Sequence, residues 1–171
     1  MSDITGFAPI VSGNAKVLIL GSMPSVASLS KQQYYGHPKN AFWPIMGALF
    51  GADPVLCYQL RKEILMANGI AVWDVLQGCK RVGSSDSNIK LASIKINDFG
   101  DFFAKYEFIE RVFFNGATAE KLYKKHVRPT LNQRFSYLEY QRLPSTSPAH
   151  ASLKLEEKIE AWKVVKLYVV K

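Results

Sequence analysis

Three short segments of this 171-residue chain combine polar side chains with glycine or proline in patterns able to hold a ligand. The first is Gly21-Ser22-Met23-Pro24-Ser25, continued by Gln33-Tyr34-Tyr35-Gly36-His37-Pro38-Lys39-Asn40-Ala41-Phe42-Trp43. Gly21 lets the backbone come close to a bound group, Tyr34 and Tyr35 offer flat faces, and Asn40 offers a carboxamide at a helix start. Each feature also has a plain reading: a turn after a strand, half-buried packing, an N-cap. The second segment, Phe113-Phe114-Asn115-Gly116, ends an apolar strand in an amide that can address the edge of a planar ligand, or forms an Asn-Gly turn. The third, Leu143-Pro144-Ser145-Thr146-Ser147-Pro148-Ala149-His150, is a hydroxyl-rich loop suited to phosphate oxygens, or a proline-stiffened connection.

The surrounding pattern sets these segments on one edge of a sheet. Val17-Leu18-Ile19-Leu20 is a continuous apolar run closed by Gly21, as expected of a strand buried on both faces. Phe42, Trp43, Met46, Leu49 and Phe50 recur at three- and four-residue steps, which predicts a helix over 41–50 with Asn40 as its cap. A second helix is expected over 55–67, ended by Asn68-Gly69, and then a strand over 70–76. Residues 78–97, polar and rich in small side chains, read as a long loop. A helix over 98–106, a strand over 111–115 and a helix over 117–126 follow. The last strand is expected over 137–143. The closing helix, 152–168, should bury Leu155, Ile159 and Trp162 and show its lysines to water. Four strands each followed by a helix predict an α/β fold in three α/β/α layers around a four-stranded parallel sheet, with the ligand site beyond the strands' carboxyl ends.

Composition narrows the class. At ~150 residues per domain the chain is expected to form one domain over 1–171. Hydrophobic residues at 48% with 11 Gly and 8 Pro exclude disorder and collagen-like architectures. No run approaches the ~20 apolar residues of a membrane span, and residues 1–10 lack signal-peptide order, so a cytoplasmic protein without membrane association is expected. Cys57 and Cys79 have no CxxC partner, which excludes four-cysteine metal sites and leaves both expected as reduced and structural. The net charge of +8 favours polyanionic partners, and its excess lies in the second half: residues 1–78 hold 5 basic and 4 acidic side chains, residues 79–171 hold 17 and 10.

Taken in order, Val-Leu-Ile-Leu-Gly-Ser-Met-Pro-Ser, Tyr-Gly-His-Pro-Lys-Asn-Ala-Phe-Trp, Phe-Asn-Gly and Leu-Pro-Ser-Thr-Ser-Pro-Ala-His resemble the uracil-DNA glycosylase superfamily over roughly residues 16–165. The hypoxanthine-DNA (deoxyinosine) glycosylase branch is the nearest in likeness, with the mismatch-specific uracil/thymine glycosylases next. The resemblance implies a three-layer glycosylase fold and a base-binding set of Gly21, Ser22, Met23, Tyr35 and Asn115. Tyr35 would stack on the extracted base, and Asn115 would face it from a strand end. The resemblance also implies DNA contacts by Ser145, Ser147, Ala149, His150 and Lys39. Two positions depart from the family pattern. Met23 stands where a water-positioning Asp or Asn is usual, which leaves Asn40 as the implied catalytic residue. Ser145 stands where His or Asn is usual and Ala149 where a wedge leucine is usual.

The implied activity is a monofunctional DNA glycosylase that removes a deaminated base, hypoxanthine first, with no cofactor and no metal, acting as a monomer on DNA containing deaminated bases. Lys31, Lys39 and Lys80-Arg81 are candidate phosphate contacts. Two rivals belong to other classes. One is a catalytically silent nucleic-acid-binding module, favoured by the charge and by Met23. The other is a serine hydrolase using Ser145 or Ser147 with His150, disfavoured because no G-x-S-x-G elbow is present.

Overall fold

A computed structural model describes residues 3–169. In chain order the elements are β1 (Asp3–Thr5), β2 (Val17–Gly21), α1 (Val26–Lys31), α2 (Phe42–Phe50), α3 (Tyr58–Ala67), β3 (Ile70–Asp74) and β4 (Leu76–Lys80). They continue with β5 (Lys95–Ile96), α4 (Phe99–Lys105), β6 (Arg111–Asn115), α5 (Ala117–His126), β7 (Glu139–Leu143), α6 (Leu155–Trp162) and α7 (Lys166–Val169). The main sheet has four strands in the order β3-β2-β6-β7, all parallel. Its centre is β2, every residue of which is buried.

Alternation along β2 creates two cores. Leu18 and Leu20 face one side with Val112 and Phe114, where Phe99, Phe102 and Phe103 of α4 and Leu122 and Tyr123 of α5 cover them. Val17 and Ile19 face the other with Val72 and Phe113, under Phe42, Trp43 and Met46 of α2, Leu65 of α3 and Trp162 of α6. Helices on both faces explain why the strands read as unbroken apolar runs. The three-layer α/β/α architecture follows, as expected from the sequence.

Several local expectations are corrected. Residues 78–97 are not one long loop: β4 pairs antiparallel with β1 and β5 in a second, three-stranded sheet. The chain leaves β3 at Asp74, and the Val75 and Leu76 N–H groups bond the Gly21 and Ser22 carbonyls as it crosses to that sheet. Gly78 belongs in β4 because a Cβ there would lie 2.9 Å from the Ile4 carbonyl oxygen. The helix α1 is an additional element, capped by Ser25, whose Oγ accepts the Ser28 N–H. The closing helix starts only at Leu155 and is interrupted by a tight turn at Lys163–Val165. Trp162 is buried and Ile159 packs against the core as expected, but Leu155 is exposed and Lys158 is buried, contrary to expectation for those two. The reason is local: Lys158 Nζ donates to the His150 carbonyl at 2.7 Å, so the lysine turns inward to hold the preceding loop. Cys79 is buried, but Cys57 is exposed and packs in no core. Among the described residues no helix is long and apolar enough to cross a membrane.

Candidate active site

The carboxyl ends of the parallel strands open into a cavity of about 110 Å³. The strands deliver Gly21 from β2, Asp74 from β3 and Asn115 from β6, while the loop after β7 delivers Ser145, Thr146 and Ser147. The wall is completed by Ser22–Ser25, Tyr34, Tyr35, Asn40, Ser84 and Asp86. Eight of the residues expected at a site thus line one cavity: Gly21, Ser22, Met23, Tyr35, Asn40, Asn115, Ser145 and Ser147. Lys39, Ala149 and His150 lie outside its lining, Lys39 and Ala149 as exposed residues.

The segment carrying Tyr35 is held in an unusual conformation. Gln32 and Tyr35 both have φ of +54°, a left-handed value that costs a side-chain-bearing residue energy unless its surroundings fix it. The surroundings do so. Gly36 N–H donates to Ser28 Oγ, Lys31 Nζ donates to the Gly36 carbonyl, and Tyr34 is tied through its N–H to Tyr58 Oη and through its hydroxyl to the Ala8 carbonyl. Trp43 Nε1 closes the set on the Tyr34 carbonyl at 2.9 Å. The Tyr35 ring lies on Phe42, with centroids 4.1 Å apart and planes 26° from parallel. Its hydroxyl is buried without a hydrogen-bond partner. Burial, with Asp74 nearby, raises that phenol well above its ordinary range.

Asn40 is not the N-cap expected from the sequence: α2 begins at Phe42, so Ala41 holds that position and makes no side-chain cap bond. From one residue earlier, Asn40 Oδ1 still accepts the Phe42 N–H at 2.9 Å, steadying the first turn, while the side chain borders the cavity. Asn115 is more committed. Its Nδ2 donates to Thr146 Oγ1 and its Oδ1 accepts the Thr146 N–H, both at 2.9 Å. Thr146 in turn accepts the Ala41 N–H on its carbonyl, so one reciprocal pair fastens the β6 end, the 144–150 loop and the start of α2 together. Gly116, with φ of +93°, is required by the close approach of that loop: a Cβ would meet Ser145 Cβ at 2.9 Å. Met23 is buried and belongs to the core on the α4 and α5 side of the sheet, and its thioether side chain offers no carboxylate or amide to orient water.

Two acids complete the wall, and neither belongs to the three segments singled out from the sequence. Asp74 is buried, with Oδ2 lacking any partner, and burial pushes its carboxyl up to about 7, helped by Asp86 and opposed by Arg81. Asp86 is also raised by burial, and its Oδ1 accepts from Ser22 Oγ at 2.8 Å. Asp74 Oδ1 and Tyr35 Oη crowd Gly21, where a Cβ would stand 2.6 and 3.0 Å from them. The available signal was a polar residue closing the apolar strand Ile70-Ala71-Val72-Trp73-Asp74, the same pattern that drew attention to Asn115.

Some proposed contacts take other roles. Arg81 is buried and braces the wall, donating Nε to the Gly83 carbonyl and Nη2 to the Pro24 carbonyl, which removes it from phosphate binding. Lys31 is engaged at Gly36. The serine-hydrolase arrangement does not form: Ser145 and Ser147 Oγ accept backbone N–H groups, and His150 Nε2 pairs with Ser152 at 3.4 Å.

Comparison with known proteins matches residues 8–166 to the family model of the uracil DNA glycosylase superfamily. A hypoxanthine DNA glycosylase of Methanosarcina barkeri (strain Fusaro / DSM 804) is 42% identical over 112 residues, covering 65% of this chain and 70% of that protein. A hypoxanthine DNA glycosylase of Methanosarcina acetivorans is 36% identical over 143 residues, covering 77% and 89%. The solution NMR structure of a Methanosarcina acetivorans protein described as a uracil DNA glycosylase superposes with a TM-score of 0.76 at 31% identity, over 96% of this chain and 99% of that one.

Proposed function

The chain belongs to the uracil DNA glycosylase superfamily, and from that premise we propose that it hydrolyses the N-glycosidic bond of a deaminated base in DNA, hypoxanthine first, leaving an abasic site. The observation that carries this reading is the convergence of Gly21, Tyr35, Asn40, Asn115 and Ser145 on one cavity at the carboxyl edge of the sheet, in a chain 36–42% identical to hypoxanthine DNA glycosylases.

The target nucleotide must leave the stack to reach such a cavity. Its backbone passes close to Gly21, where the absence of a side chain leaves room, and the base lies against Tyr35 on the ring face opposite Phe42. Asn40 positions the attacking water. Its Oδ1 already accepts one N–H, and the second lone pair of that carbonyl can accept from water. A carboxamide is too weak a base to deprotonate water early. The bond therefore breaks largely before attack, and the oxocarbenium-like sugar captures an oriented neutral water. The 144–150 loop, locked by Asn115 and Thr146 and supported from below by Lys158, presents Ser145 and Ser147 toward the DNA backbone, with Ala149 exposed beside them. The excess positive charge of the second half of the chain draws the polyanion in.

The test is mass spectrometry of a deoxyinosine-containing duplex after incubation with excess protein. Free hypoxanthine and an uncut strand bearing an abasic site are expected. A strand cleaved without alkali would contradict the monofunctional assignment, and an unchanged strand would contradict hypoxanthine excision.

A further inference from the structure

Ser145 stands where the glycosylase pattern has an imidazole or amide, so a donor must be found elsewhere for the charge that gathers on a departing base. We propose that Asp74 fills this role, donating its carboxyl O–H to the carbonyl oxygen of the extracted base as the glycosidic bond breaks.

Geometry supports the assignment. Asp74 ends β3 directly beside Gly21, the residue with which it is in register on β2. It lines the cavity, lies against Gly21 together with the Tyr35 hydroxyl, and keeps Oδ2 free of any partner. A buried carboxyl atom without a partner is costly in a protein interior and calls for an explanation. A base carbonyl arriving in the cavity supplies that missing partner.

The surroundings keep the proton on. From the segment after β4, Arg81 gives Nε and Nη2 to backbone carbonyls and keeps a buried Nη1 without a partner, and its charge opposes the proton without forming a hydrogen bond to this carboxyl. From the turn at Asp86–Asn88, Asp86 adds a like charge, tempered by its bond from Ser22. From the loop before α2, Tyr34 and Tyr35 bring phenols that burial holds neutral. Adjoining Asn97 contributes an uncharged amide, bonded to the Asp74 backbone carbonyl at 2.8 Å. Burial, helped by Asp86 and opposed by Arg81, pushes the carboxyl up to about 7, so a large neutral fraction persists where an ordinary aspartate would be ionised.

The neutral acid can donate a hydrogen bond where the ionised form would repel the developing oxyanion. As the C1′–N bond breaks, its electron pair goes to the base and delocalises onto the lactam carbonyl. The Asp74 proton is shared with that oxygen and stays on the carboxyl, while water adds to the sugar carbon and releases its proton to solvent. Hypoxanthine carries such a carbonyl and its parent adenine does not, so the device distinguishes the deaminated purine from adenine.

This role rests on the glycosylase reading. The experiment is a single-turnover excision series on a deoxyinosine duplex from pH 6.0 to 8.5, for wild type, Asp74→Asn and Asp74→Ala, with melting temperatures measured at each pH. Wild-type rate should fall about 30-fold across the range as the acid ionises. Asp74→Asn, whose amide still donates but cannot ionise, should be slower at pH 6.0 and flat. Asp74→Ala should lose roughly 10²–10³-fold at pH 6.0 while remaining folded. Undiminished excision by a folded Asp74→Ala protein, or an alkaline fall retained in Asp74→Asn, overturns the role of Asp74 and leaves the glycosylase reading standing. Wild-type protein that excises no deaminated base overturns both.

Discussion

Gly21→Ala isolates the arrangement on which the cavity depends. The new methyl would stand 2.6 Å from Asp74 Oδ1 and 3.0 Å from Tyr35 Oη, inside the ordinary carbon–oxygen contact distance for both. Neither neighbour yields cheaply: Asp74 is a short side chain on the adjacent paired strand, and Tyr35 is fixed by its stack on Phe42 and by the ties around Tyr34. Replacing glycine returns about 0.5–1 kcal/mol through lost chain entropy in the unfolded state, while overpacking a filled interior costs about 1–3 kcal/mol. The net expectation is a loss of about 0.5–2 kcal/mol, read from urea unfolding. Excision should suffer more than stability, because the displaced groups are those that meet the base. The decisive arm is a double-mutant cycle with Asp74→Ala. Removing the carboxyl removes the tighter contact, so the cost of Gly21→Ala should shrink, giving a coupling of about 1 kcal/mol. Strictly additive effects, or a Gly21→Ala protein with wild-type stability and rate, would refute the claim that Asp74 covers this glycine.

Asn40→Ala should remove at least ~100-fold of the single-turnover rate. Losing the bond to the Phe42 N–H should cost only about 1 kcal/mol, and Asn40→Asp can still accept it. Near-normal rate with lost stability would leave Asn40 a purely structural residue at the start of α2. Tyr35→Phe should keep activity and be neutral or stabilising, since it deletes a buried hydroxyl that has no partner, whereas Tyr35→Ala should lose roughly 1–3 kcal/mol of productive binding; comparing melting temperature with rate separates stacking from packing. Asp74 also predicts a pH dependence of stability. Its folded value near 7 lies above the ordinary carboxylate value of 3.8, so the native state binds more protons between those limits and loses stability as pH rises through them. The wild type minus Asp74→Asn difference should therefore fall by up to about 4 kcal/mol between pH 4 and 7, measured by urea unfolding, and a difference that grows with pH would contradict it. Excision in the presence of EDTA should proceed at an unchanged rate.

The main sheet was legible because its strands are buried on both faces: Val17-Leu18-Ile19-Leu20 and Arg111-Val112-Phe113-Phe114 can satisfy their side chains in few other ways. The small sheet was not, because β4 is glycine-bearing and half polar, and its partner β1 lies more than seventy residues away. Local composition carries no trace of such a pairing. Lys158 misled for a similar reason: helical periodicity assigns a lysine to water, and only the His150 carbonyl brought near by the loop reverses that. At the site, Gly21, Tyr35, Asn40 and Asn115 announced themselves through glycine, ring and amide in ordered segments. Asp74 stayed hidden because its character comes from burial, with Asp86 outweighing the opposing Arg81, which only the fold creates. The same holds for Thr146, whose importance lies in its pairing with Asn115.

The most direct test of the central claim is a panel of single-lesion duplexes carrying deoxyinosine, deoxyuridine, deoxyxanthosine or a G:T mismatch. Each is incubated with excess wild-type protein and scored for alkali-labile abasic sites. The account predicts abasic product from the deoxyinosine duplex at the highest single-turnover rate, with no product from an undamaged control. Deoxyinosine, deoxyuridine and deoxyxanthosine strands all left intact by a protein that still binds the duplexes would contradict it, and would make this chain a silent nucleic-acid-binding member of its superfamily.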